Sequence, residues 1–229
     1  MSIPQVPPSD AIVALVVAVL AALVGWSIVL GEIERRRIVR LARAGSRLVE
    51  SFGPNPTFTW LRPTAFEVRL SRARRPFRDL RLVLWIQPRR IFPVWLFNLV
   101  RGYRDVVGIA ADLAVTPTVQ IELLDSSTAV GKRALGQAIA RGWSTRTVRI
   151  GAVERTLATP ASGDFERVLY RLTGRLPFEP KALLRLGVHL VEPHLSLSIA
   201  DPERILASER ELATWLKRVA DVATVEPKP

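Results

Sequence analysis

The chain has 229 residues, of which 48% are hydrophobic and 24% charged, with a formal net charge of +12. It contains no cysteine, which rules out a disulfide framework, a thiolate nucleophile and cysteine-ligated zinc. The basic surplus is almost entirely arginine, only Lys132, Lys181, Lys217 and Lys228 being lysines, and it favours anionic partners such as lipid head groups, nucleic acid or acidic protein faces.

Residues 11–30 carry no charge, and only Gly25, Trp26 and Ser27 interrupt the apolar run. At 1.5 Å per residue, twenty helical residues span about 30 Å, the thickness of a bilayer's hydrocarbon core. A core helix of a soluble protein would carry a polar face. A cleaved export signal would place basic residues ahead of a shorter apolar run, and residues 1–10 hold no lysine or arginine. The segment is therefore predicted to be a single permanent transmembrane helix, with Trp26 at head-group level near one end. Arg35, Arg36, Arg37, Arg40, Arg43 and Arg47 follow it. Because lysine and arginine stay on the cytoplasmic side, residues 1–10 are expected outside the cell and the bulk of the chain in the cytoplasm.

Residues 31–50 read as a basic juxtamembrane helix. Arg36, Arg40, Arg43 and Arg47 are four, three and four apart, which stacks them on one face, with Ile38, Leu41 and Leu48 roughly opposite. Against an anionic inner leaflet each arginine would contribute about 1 kcal/mol. Arg35, Arg36, Arg40, Arg43 and Arg47 are thus candidate lipid contacts. An ordinary stop-transfer flank, or pairing with an acidic partner helix, accounts for the same residues.

Gly53, Pro54, Asn55 and Pro56 end the helix, and residues 51–63 are predicted to be a linker. Alternation then takes over: Phe66, Val68 and Leu70, and again Leu80, Leu82, Leu84 and Ile86, have the period of half-buried strands, joined by the basic stretch "RARRPFR". Further strands are predicted over 106–115, 119–123, 145–150, 184–191 and 195–199. Helices are predicted over 129–141, capped by Ser126, Ser127 or Thr128, over 164–172 starting at Asp164, and over 202–222. Asp201 before Pro202 is a start signal for the last, and Ser208 with Glu211 suggests a break near Ala207. Residues 64–225 are accordingly expected to form one α+β domain with a mixed, mainly antiparallel sheet and about three helices, ending in a frayed "EPKP" tail.

The stretch "QPRRIFPVWLFNLVRGYRD" (87–105) is apolar almost without interruption from Ile91 to Val100, with Arg89 and Arg90 before it and Arg101 and Arg104 after it. It is too short to span a bilayer but suits a segment lying in the lipid interface. Burial in the core and contact with a protein partner remain open alternatives. Arg89, Arg90, Trp95, Phe97, Arg101 and Arg104 join the candidate lipid contacts.

No catalytic, cofactor or metal site emerges. His189 and His194 have opposite strand parity and no third ligand at motif spacing. In "SSTAVGKRALG", Ser126 and Arg133 stand where a phosphate-binding loop needs glycine and a hydroxyl residue. Residues 62–104 hold eleven arginines against Glu67 and Asp79, with Trp60, Trp85 and Tyr103 as possible stacking platforms, yet no nucleic-acid-binding module accompanies them. The expected role is a non-catalytic scaffold, accessory subunit or lipid-surface adaptor bound to anionic membrane lipids. A tethered enzyme whose carboxylates converge only in the fold, or a tether for nucleic acid, are the alternatives.

Overall fold

The computed structural model describes residues 10–101, 103–160 and 165–224. The N-terminal tail up to Ser9, the expected helix start at Asp164 and the "EPKP" tail lie outside the described residues. The first helix, α1 (Asp10–Glu50), runs unbroken through both the expected span and the juxtamembrane segment. No proline interrupts it, and it ends where Ser51 Oγ donates to the Leu48 carbonyl at 2.6 Å, just before Gly53 and Pro54.

The chain divides into two compact units. One comprises the described residues up to Val39 together with Gln87–Tyr103; the other comprises Arg40–Ile86 and the described residues from Arg104 onward. The second unit is built on one sheet of nine strands: β1 (Thr57–Arg62), β2 (Ala65–Ser71), β3 (Phe77–Trp85), β4 (Val106–Leu113), β5 (Ile121–Leu124), β6 (Ser144–Ile150), β7 (Val153–Thr159), β8 (Leu183–Val188) and β9 (Leu195–Ala200). Their order is β1-β2-β3-β4-β9-β8-β5-β7-β6, and every neighbouring pair is antiparallel. The fold is α+β, as the alternation of patterns implied.

Three details differ from the sequence reading or go beyond it. The stretch expected to be a linker carries β1, whose Phe58 and Trp60 alternate with threonines but follow a Gly-Pro-Asn-Pro run that masks them. β7 was not anticipated: Arg155 takes a buried position where an apolar residue would announce a strand. Gly151, at φ 58, makes the tight turn that pairs it with β6. Finally, β4 and β5, adjacent in sequence, do not pair; β9 and β8 lie between them.

Opposed residues in antiparallel strands share a face. One such row runs Val68, Leu82, Ile109, Leu197, Leu186, Leu123, Leu157 across seven strands, and every member is fully buried. At about 1.5–3 kcal/mol per buried side chain, this row is the spine of the core. The C-terminal part of α1 packs on this face, where Gly45 approaches Leu82 and Phe66 closely enough that a Cβ would sit 3.3 Å from Leu82 Cδ2. Beside it runs α6 (Glu209–Thr224), linked by the Arg47–Glu209 ion pair at 3.0 Å and by Lys217 over the Phe52 ring. It follows α5 (Pro202–Ala207), and the two are separated at Ser208 as the capping pattern suggested. Asp201 precedes α5 with φ 62, but its side chain makes no capping hydrogen bond. α4 (Glu166–Thr173) is held to α6 by Trp215 Nε1 donating to the Leu172 carbonyl at 3.0 Å.

The opposite face carries the row Arg69, Arg81, Ala110, Ser196, Gly187, Glu122, Ala158. α3 (Ala129–Ala140) covers the Ala158 end of it, through the buried cluster of Ala138, Trp143 and Ala158. Thr128 caps α3, its Oγ1 accepting from Gly131 N at 3.1 Å.

Candidate functional site

Every described residue from Ile12 to Trp26 is exposed, and the apolar part of α1 is long enough to cross a bilayer with none of it buried by protein. The ten large apolar side chains among them have no favourable home in water. The protein thus has one helix suited to span a membrane, and membrane localisation follows from it.

Within the same unit, α2 (Phe92–Val100, "FPVWLFNLV") occupies the apolar stretch whose setting the sequence left open. None of its residues is buried. Asn98 is its only polar residue, and Val94, Leu96, Phe97, Leu99 and Val100 are all exposed. Within its own unit the helix therefore occupies no buried core position. Its backbone is self-contained, with Trp95 N donating to the Ile91 carbonyl at 2.9 Å and Arg101 N to the Phe97 carbonyl at 3.1 Å. Pro93 falls in the first turn, where a missing N–H costs nothing.

Three contacts tie the start of α2 and the residues before it to α1. Trp26 Nε1 donates to the Arg89 carbonyl at 3.4 Å, and its ring meets Phe92 edge-on, with centroids 5.3 Å apart. Eight residues further along α1, the buried Glu34 accepts from Arg89 N at 3.2 Å. The sequence held one faint sign of this staple, an acid buried among arginines. Together the contacts set α2 at the level where the apolar run of α1 gives way to charge.

The candidate lipid contacts separate into groups. Arg36 and Arg35 reach Glu32 at 2.8 and 3.5 Å, which leaves both guanidinium groups on the surface but partly compensated. Arg40 and Arg43 are exposed, while Ile38, Leu41 and Leu48 on the other side of the helix are buried. Arg47 is engaged with Glu209, so its charge is spent within the domain. Arg90 is exposed beside Arg89 at the head of α2. At its tail, the Arg101 guanidinium lies over the Phe97 ring at 4.0 Å, and Trp95 is half-buried against Phe92. Arg104 stands apart, lining a recess of about 350 Å³ with Phe178, Lys181, Asp201 and Arg204.

The two histidines have separate surroundings. His194 Nδ1 accepts from Leu113 N at 3.1 Å, closing the backbone at the end of β4. His189 lies with its Nε2 3.3 Å from Glu122 Oε1 and 3.4 Å from Ser196 Oγ, while Arg185 holds the same carboxylate oxygen at 2.6 Å. A nucleophile relay needs the acid on one ring nitrogen and the hydroxyl on the other. Here both approach the same nitrogen, so the group is a buried ionic cluster without the geometry of a triad. A Cβ at Gly187 would come within 2.5 Å of Ser196 Oγ and 2.6 Å of His189 Nε2, so a larger residue there would push these two side chains apart.

Burial lowers the His189 pKa from its ordinary value; Glu122 opposes the shift, and Arg185 and Arg141 add to it. An imidazole that binds its proton less readily folded than unfolded leaves stability intact above about pH 6.5 and withdraws it as pH falls from there toward the lowered folded value. Thermal unfolding followed from about pH 7 down to about pH 5.5 should show a falling midpoint, and His189→Gln should flatten that fall. An equally steep fall in the variant would place the titrating group elsewhere.

On the sheet's uncovered polar side, Arg69, Asp79, Arg81, Asp112 and Glu192 line a recess of about 280 Å³. Its charges are already matched, Arg69 with Asp79 at 3.4 Å, Arg78 with Glu192 and Asp112, and Arg81 with the neighbouring Glu67 at 2.7 Å. Among the described residues, no three His, Asp or Glu side chains converge to hold a metal ion. No family model matches the chain, and no curated protein matches it.

Proposed function

We propose that this protein is a single-pass membrane protein whose cytoplasmic α+β domain is held against the bilayer by α2, and that it acts as a scaffold, accessory subunit or lipid-surface adaptor without catalysis of its own. The observation that carries this is the exposure of α2. A helix apolar on all sides is stable only where something apolar surrounds it, and its own unit leaves every described residue of it unburied. Nine residues extend about 14 Å, too short to cross but enough to lie within the interfacial layer. The Trp26 and Glu34 contacts support that depth, because an indole favours the head-group region and the acid marks the edge of the apolar run. Arg89, Arg90 and Arg101 at the two ends of α2 suit an anionic leaflet, and Arg36, Arg40 and Arg43 reinforce the same preference.

The cytoplasmic orientation follows from the arginines being confined to one end of the span. Since the chain has no cysteine, single introduced cysteines report on it directly. A membrane-impermeant maleimide added to intact cells should label Ser2→Cys and leave Val191→Cys unlabelled until the membrane is opened. The reverse pattern would invert the topology, and labelling of both before opening would remove the span.

A further inference from the structure

The geometry points to a second lipid contact on the domain itself: the outer corner of the sheet formed by the β1–β2 turn and the end of β3. Among the described residues of the second unit, the exposed aromatic side chains are Phe58, Trp60, Trp85 and Tyr170. Three of these four gather at this one corner. Leu61 is also exposed there, as are Arg62 and Pro63 in the turn.

The corner is apolar on both sides of the sheet. Trp60 pairs with Phe66, which pairs with Leu84, so it stands on the core face beyond the edge of the core. Its ring meets Phe58 and Phe66 edge-on at 5.1 and 5.8 Å. Trp85 pairs with Ala65 and Val106 in the opposite set and covers Gly108, where an added Cβ would come 3.0 Å from its Cζ3. Tryptophan and arginine side by side are the composition that the head-group layer favours.

Connectivity selects the same corner. Ile86 N donates to the Thr64 carbonyl at 2.9 Å, which fastens the exit of β3 to the β1–β2 turn. From Ile86, six residues lead to Phe92 at the head of α2, a reach of at most ~20 Å. Return is as short, with Val106 opening β4 in the row of Trp85 and Ala65. With α2 in the lipid, this end of the sheet cannot travel far from the surface. The far end of the same strands has a different character: its β2–β3 turn bears Arg72, Arg74 and Arg75 and no exposed aromatic group. The remaining free edge, β6, exposes Arg146 and Arg149 with Ser144, Thr145 and Thr147, its Val148 and Ile150 being half-buried and buried, whereas β1 exposes Phe58, Trp60 and Leu61 with a single charge at its end.

The corner would therefore enter the head-group layer and give the domain a second attachment to the bilayer, which fixes its tilt as well as its distance. This rests on α2 being embedded, and the test separates the two. In the full-length protein reconstituted into vesicles, an environment-sensitive fluorophore is attached to one introduced cysteine at a time, at Leu61, Phe97 or Val191. Emission from positions 61 and 97 should be blue-shifted and quenched by brominated acyl chains. Emission from position 191 should be quenched only by iodide in the water. Lipid quenching at 97 with aqueous quenching at 61 would overturn the corner and leave α2 in place; aqueous quenching at both would overturn both. Shielding of 61 from both quenchers would identify a protein covering and equally overturn the proposal. As a second measure, Trp60→Ser with Leu61→Ser should leave the lipid quenching at 97 unchanged and increase the rotational mobility of a probe at 191. An unchanged mobility would count against the second contact.

Discussion

A chain cut at Gly31 and carrying Trp95→Ser with Phe97→Ser is expected to bind vesicles rich in anionic lipid roughly a hundredfold or more weakly than the same chain without the changes. Each large apolar side chain withdrawn from water contributes about 1.5–3 kcal/mol, and 1.4 kcal/mol is a factor of ten in an equilibrium constant. Cutting at Gly31 removes the span but keeps the buried part of α1, including Leu41, Leu48 and Val49, and the Glu34 contact to Arg89. Sedimentation with vesicles gives the partition directly. Added salt should weaken both chains through the arginines at the ends of α2 without closing the gap between them, because screening acts on charge and leaves apolar transfer nearly untouched. Equal sedimentation of the two chains would remove lipid from the surroundings of α2 and return that helix to a protein partner.

The second large effect concerns α3. Gly131→Ala should destabilise the domain by about 3 kcal/mol, through overpacking and a damaged cap. In a domain of this size that lowers the unfolding midpoint by roughly 10 °C. A Cβ at this position would lie 1.9 Å from the Asp125 carbonyl oxygen and 2.5 Å from its carbon. Those are backbone atoms, themselves held by Thr128 N and by Thr128 Oγ1, so no side chain can swing aside. The helix must move, and Gly131 N would lose the Thr128 oxygen that caps it. Gly136, one and a half turns later on the same helix, has nothing within 4 Å of its would-be Cβ. Gly136→Ala should therefore be neutral or stabilising by up to about 1 kcal/mol. Similar midpoints for the two variants would show that the α3 N-terminus is not packed as described.

The Gly131 result bears on what the Gly-Lys pair in this stretch is for. In the sequence it resembles part of a phosphate loop; in the fold it allows a helix to approach a turn. Ser126 and Arg133 already break that pattern in the sequence, and the approach to Asp125 shows what the glycine does instead.

Elements whose evidence is local were legible. Alternation in Phe66, Val68 and Leu70 and in Leu80, Leu82 and Leu84 reflects one buried face per strand, so β2 and β3 emerge from period alone. The arginine stripe opposite Ile38, Leu41 and Leu48 follows from helical spacing, and those three apolar residues are indeed buried. β1 stayed hidden because an edge strand buries little and its alternation is weak. β7 stayed hidden because Arg155 satisfies its burial with hydrogen bonds to the Glu154 and Pro180 carbonyls and an ion pair to Asp125 at 3.5 Å, which no period can reveal.

By itself, the sequence determined that a charge-free helix of bilayer length precedes a run of arginines and an α+β domain, since transfer free energy and periodicity are sums over neighbours in the chain. Only the tertiary structure decided that Glu122 meets His189 and Arg185 across paired strands, that Gly187 lies directly against Ser196 and His189, and that α2 is not buried within its own unit. Apolar residues such as Phe92 to Val100 have the same composition in a core as at a surface. Their environment is set by which distant strands pair, and that depends on register and closure over the whole sheet.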